Sequence, residues 1–295
     1  MTTEIRTAIE RTTAFFEGRH TRPAVVARRC VGHPRPEDAE LTEHLVRAIR
    51  RKTRIDGSVH GSLMDTAWAA WELLELGCQA DHAAVIRTAG FILQTEDRDG
   101  HFGEGCVDER HVRHRCRHFL SGFFSPGSWD HPTAPLEFPS GLRIDDEQGA
   151  RFAVSCYVLR SVLRAGADRR SAVRRHVDSL LSLSALWDED GGWAPDLVMG
   201  ALGALAYASI DYRSKVVGLG RRILDRQQND GSWTNTHAFH ALEMFLGLTG
   251  PEVVVAARRA APALIGRQTP EGAFDPTGNE EPALIALRVL LLAER

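Results

Sequence analysis

Asp145 and Asp146 stand side by side in GLRIDDEQGARFAVSCYVLRSVL, where a helical pattern begins. Carboxyls at that position can cap the helix and meet the positive end of its dipole. A carboxyl that keeps its proton, through burial or neighbouring carboxylates, can instead act as a general acid. Arg143, two residues earlier, favours the ionised form and opposes that use. A second constellation lies in HFGEGCVDERHVRHRCRHFLSGFF, from His101 to Phe124. On a helix, His111, His114 and His118 share one face, with Asp108 one turn before them. Together with Cys106 and Cys116 they offer nitrogen and thiolate ligands to Zn2+, although no regular zinc spacing occurs. The same stretch carries Arg110, Arg113, Arg115 and Arg117, a cationic helix suited to a diphosphate, which would bring Mg2+ with it. A solvated polar face is the third reading, and all three stay open. His237 and His240, in WTNTHAFHALEMFLGL, are further polar groups at a helix start, as are Asp65, Asp196, Asn279, Glu280 and Glu281.

These residues have to be positioned by something, and the turns show what. QQNDGSW places Gln227 four residues before Gly231 and Trp233 two after it. QTPEGAF repeats the spacing with Gln268, Gly272 and Phe274, and WDEDGGW supplies Gly191 and Trp193 with Trp187 in the Gln position. Weaker copies occur at Gly100 with Phe102 and at Gly127 with Trp129. The last three lie about 40 residues apart, the period of a helix-pair repeat. Helical periodicity predicts helices near 3–16, 38–52, 65–76, 81–94, 107–121, 145–165, 168–183, 196–209, 212–228, 235–248, 251–267 and 280–294. No stretch alternates as a half-buried strand does. A pair of this size cannot bury its apolar face alone, so pairs must stack. Residues 197–210 and 282–294 are apolar nearly all round, as helices covered on both sides should be, which favours a closed ring over an open solenoid. The opening of the inner helix after Trp233 is expected at about Asn235.

Composition narrows the field. The 295 residues carry 43% hydrophobic and 25% charged residues with a net charge of −3, which fits one large domain and gives no basic field for nucleic acid. No apolar run approaches the roughly 20 residues that span a bilayer, and the N-terminal stretch lacks the apolar core of a signal peptide. Five scattered cysteines do not make a disulfide framework. We therefore expect a cytoplasmic chain of unknown oligomeric state, with residues 1–295 as one domain and residues 1–36 either completing the ring or lying over it.

The Gln-x-x-x-Gly-x-Trp/Phe turn resembles the repeat of squalene–hopene cyclases and their relatives, the class II diterpene cyclases and the β subunits of protein prenyltransferases. SLMDTAWAAWELL, from Ser62, also resembles the Asp-Thr-Ala-Trp stretch near the start of class II diterpene cyclases. The resemblance implies an all-α fold, an α/α toroid of six inner and six outer helices, closest to the single β-type domain of the diterpene cyclases. It further implies acid-initiated cyclisation or isomerisation of a small isoprenoid, with or without a diphosphate, in the central cavity. Against the family's Asp-x-Asp-Asp motif, Asp145 matches the middle, alkene-protonating acid and Asp146 the last, while Arg143 replaces the first Asp. Substrate-binding groups would be Asp65, Trp68, Arg113, Arg117, Phe152, Tyr157, His237, Phe239 and His240, the aromatic ones stabilising cations. The prenyltransferase zinc site does not carry over, because no Asp-x-Cys occurs. A zinc enzyme using His111, His114 and His118 on the same toroid, and a non-catalytic binding module or partner subunit, are the rival readings. Residues 124–143, rich in Pro and Gly, are either a lid at the rim or a surface insertion.

Overall fold

The computed structural model describes residues 2–95, 124, 132–184 and 194–295. Among these residues it has twelve α-helices, a two-residue β-ladder and two short 3-10 turns. The helices are α1 (Thr2–Phe15), α2 (Arg22–Cys30), α3 (Asp38–Lys52), α4 (Leu63–Glu75), α5 (Ala83–Gln94), α6 (Glu147–Arg164), α7 (Ser171–Leu183), α8 (Pro195–Leu205), α9 (Arg213–Leu224), α10 (Ala238–Leu246), α11 (Pro251–Arg267) and α12 (Glu280–Glu294). The expected helix at 107–121 lies outside the described residues.

Two elements were not expected. Strands β1 (Leu136–Glu137) and β2 (Arg143–Ile144) pair antiparallel, Leu136 opposite Ile144 and Glu137 opposite Arg143, within the segment read as a loop. Two residues per strand are too few to leave an alternating pattern in the sequence. The other is α2, inside HTRPAVVARRC. Thr21 caps it by accepting from the Ala24 amide, Pro23 sits in its first turn where no amide is needed, and Ala24–Ala27 are buried. The arginines and prolines of the stretch mask its helical pattern and leave open whether it completes the ring or lies over it. Yet Arg28 is buried, donating through Nε to both Asp38 oxygens at 3.0–3.1 Å and through Nη1 to the Phe16 carbonyl. The Arg28 hydrogen bond outweighs burial and holds the Asp38 carboxyl below its ordinary range.

The chain divides into two compact units. The first comprises residues 1–48, 138–142 and 217–295. Its centre is α12, which packs against α1, α2, α10 and α11 and is buried from Pro282 to Leu287 and again at Val289, Leu290 and Ala293. That is the all-round apolar helix the composition of 282–294 called for. Glu280 in its first turn pairs with Arg19 at 2.8 Å and accepts from the Thr21 hydroxyl, and Glu281 pairs with the buried Arg22.

In this unit the repeated turn shows its purpose. Gln227 Nε2 donates to the Gly231 carbonyl at 2.9 Å and to the Ala256 carbonyl of α11 at 3.1 Å. The Trp233 indole donates to the Ile223 carbonyl at 2.7 Å, and its ring lies 5.6 Å from Phe245. Gly231 has φ +82°, and a Cβ on it would stand 2.3 Å from Ala260 Cα, so the turn touches the backbone of α11 directly. The next turn repeats this against α1: Gln268 Nε2 donates to the Ala8 carbonyl and the Thr12 hydroxyl, both at 2.9 Å, and a Cβ on Gly272 would meet the Arg11 carbonyl. Helix α1 thus stands to the second turn as α11 stands to the first.

The second unit comprises residues 49–137 and 143–216. Its centre is α6, packed against α4, α5, α7, α8 and β2, and buried at every residue from Gly149 to Leu163. It contains a further copy of the turn, without the Gln and Trp. Thr53 and Val59 hold the Gln and Trp positions, and the shared feature is Asp-Gly-Ser. Asp56 Oδ1 accepts from the Ser58 amide and hydroxyl at 2.9 and 2.8 Å, just as Asp230 Oδ1 accepts from those of Ser232 at 3.0 and 2.7 Å. Gly57 meets the backbone of α5 at Arg87, again the helix that follows in the next pair.

Candidate functional site

Each unit carries one cluster of candidate residues, and in the second unit α6 organises it. The helix begins later than expected, at Glu147, because Asp146 is its cap: the Asp146 side chain accepts from the Gly149 amide at 2.7 Å. Asp145 therefore stands outside the helix. Its side chain is 71% exposed and takes the Arg143 Nε at 2.7 Å. Two exposed partners of this kind stabilise the fold by about 1 kcal/mol at most. A solvated, ion-paired carboxylate is also the reverse of the buried carboxyl that alkene protonation requires. Glu147 pins the preceding loop to the helix, accepting from the Thr133 and Ala134 amides at 2.7 and 2.8 Å and from Arg151 Nε. Burial would raise the Glu147 carboxyl, but these donors outweigh it and the net shift is downward.

Two to five turns further along α6, Tyr157, Arg160 and Arg164 face α4 and Tyr207. The Arg160 guanidinium lies over the Trp71 ring at 3.8 Å and that of Arg164 lies over it at 3.9 Å. Tyr207 meets Trp71 edge-on at 5.5 Å, and Tyr157 lies 6.0 Å from Trp68 and 6.4 Å from Trp71. The Trp71 ring, which could stabilise a substrate cation, already meets two guanidinium groups. Phe152, on the same helix, is wholly buried as core. Asp65 is in the first turn of α4, which Ser62 caps, and its carboxylate lies 3.3 Å from His60 Nδ1 at the surface. Cys156 is fully buried, which pushes its thiol well above the ordinary range.

In the first unit the cluster forms around the start of α10. That helix opens at Ala238 rather than near Asn235, since Asn235 takes φ +54° and His237 caps the helix by accepting from the His240 amide through Nδ1. Burial first, and the Arg267 charge second, lower the His237 imidazole from its ordinary range and keep it neutral. The short segment 138–142 lies against these residues. The Phe138 ring is 5.6 Å from the buried His240, Gly141 faces the His237 ring, and Asn279 donates from Nδ2 to the Pro139 carbonyl at 3.1 Å. Phe239 packs edge-on against Phe274 at 6.2 Å. Part of the 124–143 segment is thus an ordered strap seated on the heads of α10 and α12.

His111, His114, His118, Arg113 and Arg117 lie outside the described residues. Among the described residues, no group of three or more His, Cys, Asp and Glu comes together as metal ligands would. The residues of these clusters that the sequence did not single out are Arg160, Arg164 and Phe138. Arg160 and Arg164 were visible as an i, i+4 pair with Tyr157 three residues before, and Trp68 and Trp71 are themselves i, i+3 neighbours.

No family model matches the chain, and no curated protein matches it. Among solved structures it is similar to a variant of the type II terpene cyclase MstE from Scytonema, described in complex with geranylgeranyl dihydroxybenzoate (substrate). The likeness has a TM-score of 0.58 and covers 99% of this chain and 98% of that one, at 15% identity. It shows the fold, an all-α toroid of the terpene cyclase type. No helix among the described residues is long and apolar enough to cross a membrane.

Proposed function

We propose that this protein is a terpene cyclase-like enzyme that binds a small isoprenoid and cyclises or isomerises it by proton transfer. The supporting observation is the likeness of fold to a type II terpene cyclase over nearly the whole of both chains. In such a reaction a carboxylic acid adds a proton to an alkene, the carbocation closes a ring or shifts, and a neighbouring base removes a proton, so substrate and product have the same mass. Asp145, with Asp146 beside it at the head of α6, is the group assigned to that proton. For Asp145 to hold it, the pair with Arg143 must open and the site must exclude water.

The experiment is to incubate untagged protein with geranylgeranyl diphosphate or a geranylgeranyl-substituted aromatic acid, and to look for a product of unchanged mass and altered retention. Asp145→Asn should lower turnover by at least about 100-fold, whereas Arg143→Ala should retain or raise it. An Asp145→Asn protein with full turnover removes the proton-donor role.

The exposed Arg143–Asp145 pair favours a second reading, in which the toroid binds an isoprenoid without converting it. Native mass spectrometry showing a co-purified isoprenoid, with no product from any substrate, would select it. A stoichiometric metal in the same sample would move the argument to the histidines at 111, 114 and 118.

A further inference from the structure

Ile55 is 98% exposed, at the tip of the turn that precedes α4. The other turns of the same geometry explain why this is unusual. The equivalent tip positions hold Asn229 and Pro270, both exposed and both suited to a turn. The backbone geometry does not require an isoleucine, and leaving one in water is unfavourable. Beside it on α5, Ile86 is 56% exposed. The two segments are joined by a side chain, since Arg87 Nη2 donates to the carbonyls of Arg54 and Ile55 at 2.9 and 3.3 Å. Within five residues of Ile55 along the chain are the exposed cations Arg50, Arg51, Lys52 and Arg54, and Arg87 follows Ile86. The one carboxylate in residues 49–59 is Asp56, whose Oδ1 is engaged by Ser58. The macrodipole of α3 accounts for cations in its last turn; it does not account for the isoleucines.

We propose that this patch, Ile55 and Ile86 together with the cations of residues 50–54 and Arg87, docks the protein onto an anionic lipid bilayer. The isoleucines enter the headgroup–acyl boundary, and the arginines and lysine meet the lipid phosphates. Nucleic acid would satisfy the cations and leave the isoleucines in water, so a bilayer fits both halves of the patch better. The inference stands apart from the catalytic reading, because it concerns attachment and not turnover.

Flotation of the full chain with vesicles tests it. The protein should float with phosphatidylcholine vesicles containing roughly one-third phosphatidylglycerol, should stay in solution with phosphatidylcholine alone, and should be released by high salt. Ile55→Ser should lower the partition about tenfold with an unchanged melting temperature, since the side chain makes little folded-state contact. Arg51→Gln and Lys52→Gln should each lower it about fivefold. Failure of the unaltered protein to float with anionic vesicles overturns the proposal, as does an Ile55→Ser protein that floats equally well. A dimer in lipid-free solution that Ile55→Ser dissociates would also overturn it, by assigning the patch to a second copy of the chain.

Discussion

At the scale of single residues, the contrast between Asp145 and Asp38 shows how neighbours set what a carboxylate does. Both face an arginine. Asp38 is buried with Arg28 and fastens α2 to the start of α3, while Asp145 meets Arg143 in open solvent. Removing one member of the buried pair leaves an uncompensated charge, whereas removing one member of the exposed pair changes stability little. Proximity of a different kind governs Gly231, whose positive φ and contact with α11 leave no room for a side chain. Gly231→Ala should therefore destabilise the protein by about 3 kcal/mol, combining left-handed strain with displacement of the α11 backbone. Urea denaturation measures this, and a loss below about 1 kcal/mol would mean that α11 yields easily.

At the scale of elements, the turn is a clasp between one helix pair and the next. Its glutamine works because the amide supplies a donor to backbone carbonyls of a neighbouring helix, Ala256 in one case and Ala8 in the other. Gln268→Ala should cost about 1–2 kcal/mol by removing the donor that holds α1. Gln268→Glu should fail to restore it, since an ionised carboxylate can only accept. Equal melting temperatures for the glutamine and glutamate forms would show that shape, not the donor, holds α1. The Thr53 copy of the turn keeps the glycine contact and the Asp-Gly-Ser bonding while the Thr53 hydroxyl donates back to the Ile49 carbonyl of α3, so the glycine contact does not depend on a donor at the glutamine position.

At the scale of the molecule, the two compact units are interleaved along the chain. The division falls inside α3, between Ala48 and Ile49, and inside α9, between Val216 and Val217. A helix unfolds cooperatively, so melting one unit disrupts helices that begin in the other. We propose that residues 1–295 behave as a single domain. Calorimetry should then give one transition with equal calorimetric and van't Hoff enthalpies, and two resolved transitions would refute it.

The sequence by itself determined the features written within a few residues of one another. The Gln-x-x-x-Gly-x-Trp spacing and the all-round apolar character of α8 and α12 are local, and they sufficed for an all-α toroid of stacked pairs. Helix α2 escaped because its evidence is tertiary: Arg28 looks like surface until Asp38 and the Phe16 carbonyl are brought to it. The turn at Gly57 escaped because Thr53 and Val59 replace the marked residues, although Asp-Gly-Ser was there to be read. Only the tertiary structure decided the clusters. The contact of Trp71 with Arg160 and Arg164 depends on the packing of α4 on α6, and the seating of Phe138 on His240 depends on a segment a hundred residues away. Spacing along a helix says which side chains share a face, but long-range packing selects what that face meets.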